Sequence, residues 1–209
     1  YNPSDPRLSD IQWGMSFQDT DGGTFHFGQG WALDQLERPG GLAVGLMADK
    51  TMQSGAYPVM GLAEGGIYAL AERSMGSGFT VTGGALTNVG LTAEADDRNY
   101  APKSNALMLS LGRVSHDKKL SGSISATYLV EEHGVLGTGG AGGLGFTDGS
   151  ESQAITVGSS YQLNDKFKIS TTYTGAFSRG DTTSGQLLSL DSPKLVSTAL
   201  TMGLETKNI

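Results

Sequence analysis

The amino-acid sequence predicts an all-β fold, an antiparallel meander closed as a β-barrel or a barrel-like sandwich. Three observations carry that expectation. Apolar and hydroxylated residues alternate with period two through the longer segments, the spacing that sends successive side chains to opposite faces of a strand. Glycine supplies 32 of 209 residues, about twice the ordinary share of ~7%, as expected where strands bend or approach closely. No sustained helical period intervenes, so consecutive strands are left to pair with one another.

Taken in chain order, residues 1–12 are expected to be irregular. Phe25 and Phe27, then Leu42, Val44 and Leu46, then Phe79 and Val81 mark strands of the first half. Between them, residues 30–37 suit a short helical turn that Pro39 and Gly40 end. The glycine pairs Gly40-Gly41, Gly65-Gly66 and Gly83-Gly84 are expected to break or bend these segments. After an irregular stretch at 96–104, Leu107, Leu109 and Leu111 lead into a turn at His116-Asp117-Lys118, and Ile124, Ala126, Tyr128 and Val130 lead out. Beyond a second irregular stretch, 137–150, comes the clearest hairpin. Ile155, Val157, Tyr161 and Leu163 oppose Thr156, Gly158, Ser160 and Gln162; Asn164-Asp165-Lys166 forms the turn; and Phe167, Ile169, Tyr173 and Phe177 continue the pattern. A third irregular stretch, 180–193, precedes Val196, Leu200, Met202 and Leu204, which oppose Ser197, Thr201 and Gly203. At about 17 residues per strand and turn, the length holds roughly ten to twelve strands. Residues 1–209 are expected to form a single β-domain. A start without Met and a finish in mid-pattern, Glu205 to Ile209, suggest a fragment of a longer precursor.

Composition narrows the function. The formal net charge of −7 and the lack of any Lys/Arg cluster beyond Lys118-Lys119 argue against a nucleic-acid partner. Charged residues are 17% of the chain against a usual value of about 25%. Ser, Thr, Gln and Gly take their place, as on extracellular and outer-membrane β-proteins. With 0 cysteines, neither a disulfide framework nor a thiolate metal site is available. No apolar run approaches the ~20 residues of a membrane-spanning helix.

The motifs that could carry chemistry have plainer explanations. A nucleophilic triad needs a histidine beside a serine and an acid. Of the three candidates, His26 lies between two phenylalanines of a strand, His116 in a turn, and His133 at a strand end. His133-Gly134 echoes the His-Gly-Thr motif of subtilisin-like proteases, but Val135 follows it and no matching serine segment exists. Asp19-Thr-Asp-Gly22 begins like a calcium loop yet lacks the later bidentate Glu, and an Asx-type turn accounts for the same residues. Asp96-Asp97 is an ordinary solvated acidic pair. The glycine run 137–145 is not followed by a helix, which phosphate binding requires. No catalytic, metal or cofactor-binding residue is therefore assigned, and no cofactor is expected. Tyr128, Tyr161, Tyr173 and Phe177 suit either an aromatic girdle at a membrane interface or a core packed between sheets.

The second half carries a resemblance. Leu129-Val-Glu-Glu-His-Gly-Val-Leu-Gly137, Gly142-Gly-Leu-Gly-Phe146, Ser152-Gln-Ala-Ile-Thr-Val-Gly158, the segment Tyr161 to Ile169 and the segment Leu195 to Leu204 follow in an order that resembles the C-terminal β-region of autotransporter-like, subtilisin-family (S8) serine proteases of Gram-negative bacteria. The resemblance covers roughly residues 105–209. It implies a non-catalytic domain, outer-membrane or extracellular, that anchors, translocates or helps fold a protease domain ahead of it in the same precursor; the triad would lie in that upstream part. Outer-membrane barrels usually end on an aromatic residue, whereas Asn208-Ile209 ends this chain, which implies that closing strands lie elsewhere. The alternative is a free-standing extracellular module for glycan or an envelope surface, with Trp13 and Trp31 as stacking residues. An autonomous hydrolase is the least favoured expectation.

Overall fold

The computed structural model describes residues 13–29, 67–88, 103–132, 134–136, 138–139, 149–181 and 194–206. In chain order the strands are β1 (Trp13–Gln18), β2 (Gly23–Gln29), β3 (Ile67–Gly76), β4 (Phe79–Asn88), β5 (Ser104–Val114), β6 (Leu120–Glu132), β7 (Gly134–Val135), β8 (Thr138–Gly139), β9 (Gly149–Gln162), β10 (Phe167–Gly180) and β11 (Lys194–Thr206). Nine of them form one antiparallel meander, β1-β2-β3-β4-β5-β6-β9-β10-β11. The small β7–β8 hairpin stands between β6 and β9 in the chain and, among the described residues, pairs only with itself. β1 and β11 are the outer members of the sheet, and no ladder joins them among the described residues.

The β9–β10 hairpin lies where the alternation places it. Ile169 faces Tyr161, Tyr173 faces Val157, and the register runs without a shift from Lys168↔Gln162 to Gly180↔Ser150. Asn164 closes the turn with its side chain, Oδ1 accepting from the N–H groups of Lys166 (2.9 Å) and Phe167 (3.0 Å). Asx side chains satisfy turn amides in this way. The β5–β6 turn is organised by Ser115 and Asp117: the Ser115 hydroxyl donates to Asp117 Oδ1 (2.6 Å), which also accepts the Lys119 N–H (3.1 Å). At the β3–β4 turn Ser77 (φ 51°) and Gly78 (φ 77°) are both left-handed, the backbone of a two-residue hairpin loop that follows strand twist.

Connection lengths alternate strictly. At one rim the links are short: residues 19–22, 77–78, 115–119 and 163–166. At the other they are long: 30–66, 89–103, 133–148 and 181–193. We refer to these as the turn rim and the loop rim.

Gly83-Gly84 does not interrupt its strand. β4 runs straight through the pair, and the one register shift of the β3–β4 ladder lies at Ser74/Gly76. Glycine is needed at 84 for proximity, since a Cβ there would overlap the Leu70 side chain and stand 3.1 Å from the Ala69 carbonyl oxygen. Three of the stretches expected to be irregular are shorter than their residues suggest: β5 starts at Ser104, β9 at Gly149, and β10 reaches Gly180. Ladder pairing extends strands through polar residues wherever the neighbouring strand offers partners. Residues 1–12, the turn at 30–37, the strand at 42–46, the pairs Gly40-Gly41 and Gly65-Gly66, and Asp96-Asp97 lie outside the described residues.

The two faces of the sheet divide opposite to a water-soluble β-sandwich. On β9, Ser150, Ser152, Ala154, Thr156 and Ser160 are buried while Ile155, Val157 and Tyr161 are exposed. On β10, Ser170, Thr172, Thr174, Ala176 and Ser178 are buried while Phe167, Ile169, Tyr173 and Phe177 are exposed. Leu109 keeps 62% of its surface and Met202 74%, against 0% for Ser152 and 1% for Thr174. The apolar side of the meander faces outward.

Candidate functional site

The sheltered face is built in rows by the registers. One row passes through Gln18, Thr24, Glu72, Thr82, Ser110, Ser125, Thr156 and Thr174, each directly opposite the next across eight strands. Hydroxyls of neighbouring strands bond to each other: Thr156 to Thr174 (2.9 Å), Ser152 to Ser178 (2.7 Å) and Ser121 to Ser160 (2.7 Å). Each hydroxyl is both donor and acceptor, so paired rows satisfy themselves without charge. Among the described residues the buried hydroxyls of Ser104 and Thr172 find no partner, the circumstance in which a polar wall takes up water.

Toward the loop rim the same face turns apolar on β3 to β6. Tyr68, Leu70, Leu86, Met108 and Leu129 gather there, and Val135 and Leu136 of the β7–β8 hairpin are buried with them. The β7–β8 hairpin thus lays Val135 and Leu136 against the sheet, and Leu136 adopts a left-handed φ of 49° at its turn.

Histidine chemistry is limited by placement. His26 faces Ser16 across the β1–β2 ladder, with Ser16 Oγ 2.7 Å from Nδ1, and Glu72, which accepts a hydrogen bond from Thr82, lies within electrostatic range of His26. The strand backbone around His26 is engaged in ladders with β1 and β3. Period-two alternation placed Ser16 and His26 on strands but did not indicate their pairing, which depends on the register. His116 is exposed in the β5–β6 turn, and His133 lies outside the described residues. The backbone closes the β1–β2 turn, the Gly22 N–H donating to the Asp19 carbonyl (3.2 Å) with Gly22 left-handed at φ 80°, while Asp19 Oδ1 accepts the adjacent Thr20 N–H (2.7 Å). Among the described residues no three His, Asp or Glu side chains group in a way that could hold a metal ion. Thr138-Gly139 of the glycine run forms β8, and the rest of that run lies outside the described residues, as do Trp31 and the Trp13 side chain.

The outward face carries the aromatic candidates. Tyr161, Tyr173 and Phe177 are about half exposed, so they do not pack between sheets. Phe17 stacks on Phe27 at 5.7 Å. Among the described residues, charges on this face stand only at its borders: Arg73 and Arg113 toward the turn rim, with Arg113 4.8 Å over the Phe79 ring, and Glu132, Glu151, Arg179 and Lys194 toward the loop rim, where Glu132 pairs with Lys103 at 2.7 Å.

No family model, curated protein or solved structure matches this chain.

Proposed function

We propose that this chain is a membrane-embedded β-barrel domain of a Gram-negative outer membrane, of roughly ten to twelve strands, with no catalytic site of its own. It serves to anchor, translocate or help fold a subtilisin-like protease domain carried ahead of it in the same precursor. One observation carries the membrane part of this reading: the apolar residues point outward and the hydroxyls inward. Water would penalise that arrangement by about 25 cal/mol for each Å² of apolar surface left exposed, and a lipid surround removes the penalty.

Dimensions support it. On β10 the outward residues from Phe167 to Phe177 carry no charge, a span of about 33 Å along the strand at ~3.3 Å per residue. Tilted by about 40°, that is ~25 Å of height, the apolar band of outer-membrane barrels. Aromatic residues toward both ends of the band, charges only beyond it, and short links at one rim with long ones at the other belong to the same design. The role toward a protease rests on the sequence resemblance of residues 105–209.

The test is fractionation of native cells followed by mass spectrometry of the intact product. Retention in carbonate-washed outer membranes, with a protease domain N-terminal to Tyr1, is the expected result. A product soluble without detergent would overturn the membrane assignment; one with no protease domain ahead of Tyr1 would overturn the role.

A further inference from the structure

We propose that a groove on the outward face of β5, β6 and β9, beside the turn rim, seats one phospholipid of the adjoining leaflet, with its phosphate on Arg113 and an acyl chain against Leu111, Ile124 and Val157. The inference deepens the membrane reading and rests on it. Every outward residue of an embedded barrel meets lipid in passing. A lipid that stays needs a recess for its chain and a group that grips its head.

The registers build the recess. Phe79, Arg113, Gly122, Ser159 and Thr171 follow one another across five strands in a single row. The rows beside it are apolar: Leu111, Ile124, Val157 and Tyr173 toward the loop rim, Leu120, Tyr161 and Ile169 toward the turn rim. Short residues between two rows of large ones leave a groove of about 630 Å³. Gly122 lies at its floor. Packing does not demand glycine there, because a Cβ would stand 3.6 Å from the Gly158 carbonyl oxygen, an ordinary contact. The missing side chain therefore opens space outward. Val157 also borders a larger depression of about 970 Å³ over Ala126 and Gly175, which gives an acyl chain a path toward the middle of the apolar face.

Charge identifies the head. The Arg113 guanidinium lies 4.8 Å over the Phe79 ring. Stacking engages the face of the cation and leaves its N–H edge for a bidentate oxyanion. Among the described residues no carboxylate pairs with Arg113. Residues 113–119 set Arg113, Lys118 and Lys119 against the single carboxylate of Asp117, which is already engaged by the Ser115 hydroxyl and the Lys119 amide. The exposed Ser159 hydroxyl borders the groove as a further donor to a phosphate or ester oxygen. An excess of cations beside an apolar wall matches a phosphodiester that carries acyl chains. A second copy docked symmetrically through this groove would instead bring like charges together.

The experiment uses the complete gene product, reconstituted into vesicles of phosphatidylethanolamine and phosphatidylglycerol and released into mild detergent for native mass spectrometry. One phospholipid retained per chain is the expected result. Arg113→Gln and Gly122→Leu, made separately, are each expected to lower its occupancy about tenfold or more, while Arg179→Gln at the opposite border keeps it. The two variants act on head and floor independently, so a folding defect in one leaves the other to decide. No retained lipid in the native chain, or unchanged retention in a folded variant of either kind, would overturn the site. A lipid-free dimer that Gly122→Leu breaks would give the groove to a second copy and overturn it too. Flotation with the same vesicles reads the membrane assignment separately. A chain that floats yet retains no lipid loses this site alone; a chain that does not float loses the membrane reading and the site together.

Discussion

At the scale of single residues, the paired hydroxyls of the sheltered face make a specific demand. Thr156 and Thr174 satisfy each other at 2.9 Å while buried, so removing one partner leaves the other a desolvated polar group. Thr174→Val is expected to cost about 1–2 kcal/mol, and Thr156→Val/Thr174→Val to recover much of it; urea unfolding in micelles would measure both. Gly84 has no room for a side chain against Leu70, so Gly84→Val should destabilise by about 1–3 kcal/mol through overpacking, read by the same method. Asp117 answers to pH. Hydrogen bonds from the Ser115 hydroxyl, then from the Lys119 amide, hold its carboxyl below the usual carboxylate range. A depressed value means the ionised carboxylate stabilises the turn at neutral pH, and the contribution disappears as pH falls through the folded-state value. The NMR shift of the Lys119 amide should therefore titrate below the ordinary Asp midpoint, and Asp117→Ala should abolish that titration.

For a whole strand the relevant variable is which of its two faces is exposed, the face that the proposed membrane reading turns toward lipid. Leu109 stands at the middle of the outward row of β5. On the proposed membrane reading, Leu109→Arg should destabilise the domain by about 2–4 kcal/mol in a bilayer, whereas Leu111→Arg, one position nearer the border where Arg113 already stands, should cost less. Reversible unfolding in lipid vesicles distinguishes the two depths. The strands of the second half were largely legible in the sequence, whereas β1 and β3 were not marked by it, their alternation being shorter or mixed with Gly, Glu and Arg. Alternation from Ile155 to Leu163 and from Phe167 to Phe177 gave the β9–β10 hairpin, and Asn164 its turn, because both are local. The direction of the faces was not legible. Alternation is symmetric under exchange of inside and outside, so Tyr173 suits a core and a membrane girdle equally until the sheet is seen to shelter Thr172 and Thr174 instead. The Ser16–His26 pair and the buried Val135 and Leu136 were hidden for another reason: each depends on a register or a return of the chain across segments far apart in sequence.

For the molecule as a whole, what holds the fold is the ladder and its surroundings more than a central apolar core. The buried apolar cluster is confined to one part of the sheltered face, around Tyr68, Leu86 and Leu129, while the broad apolar surface lies outside. Transfer from micelles into detergent-free buffer should therefore cause aggregation rather than a stable monomer, which light scattering would register.

The unequal links of the two rims also divide the chain by its tolerance of added sequence. An epitope spliced into 181–193 lengthens a span that already separates two registers, and by loop-closure entropy each doubling costs only about 0.6 kcal/mol. The same epitope at 77–78 would replace the left-handed pair Ser77 and Gly78 and pull β3 from β4. Variation between related chains should accumulate at the loop rim, leaving the turn rim to keep the strands in step.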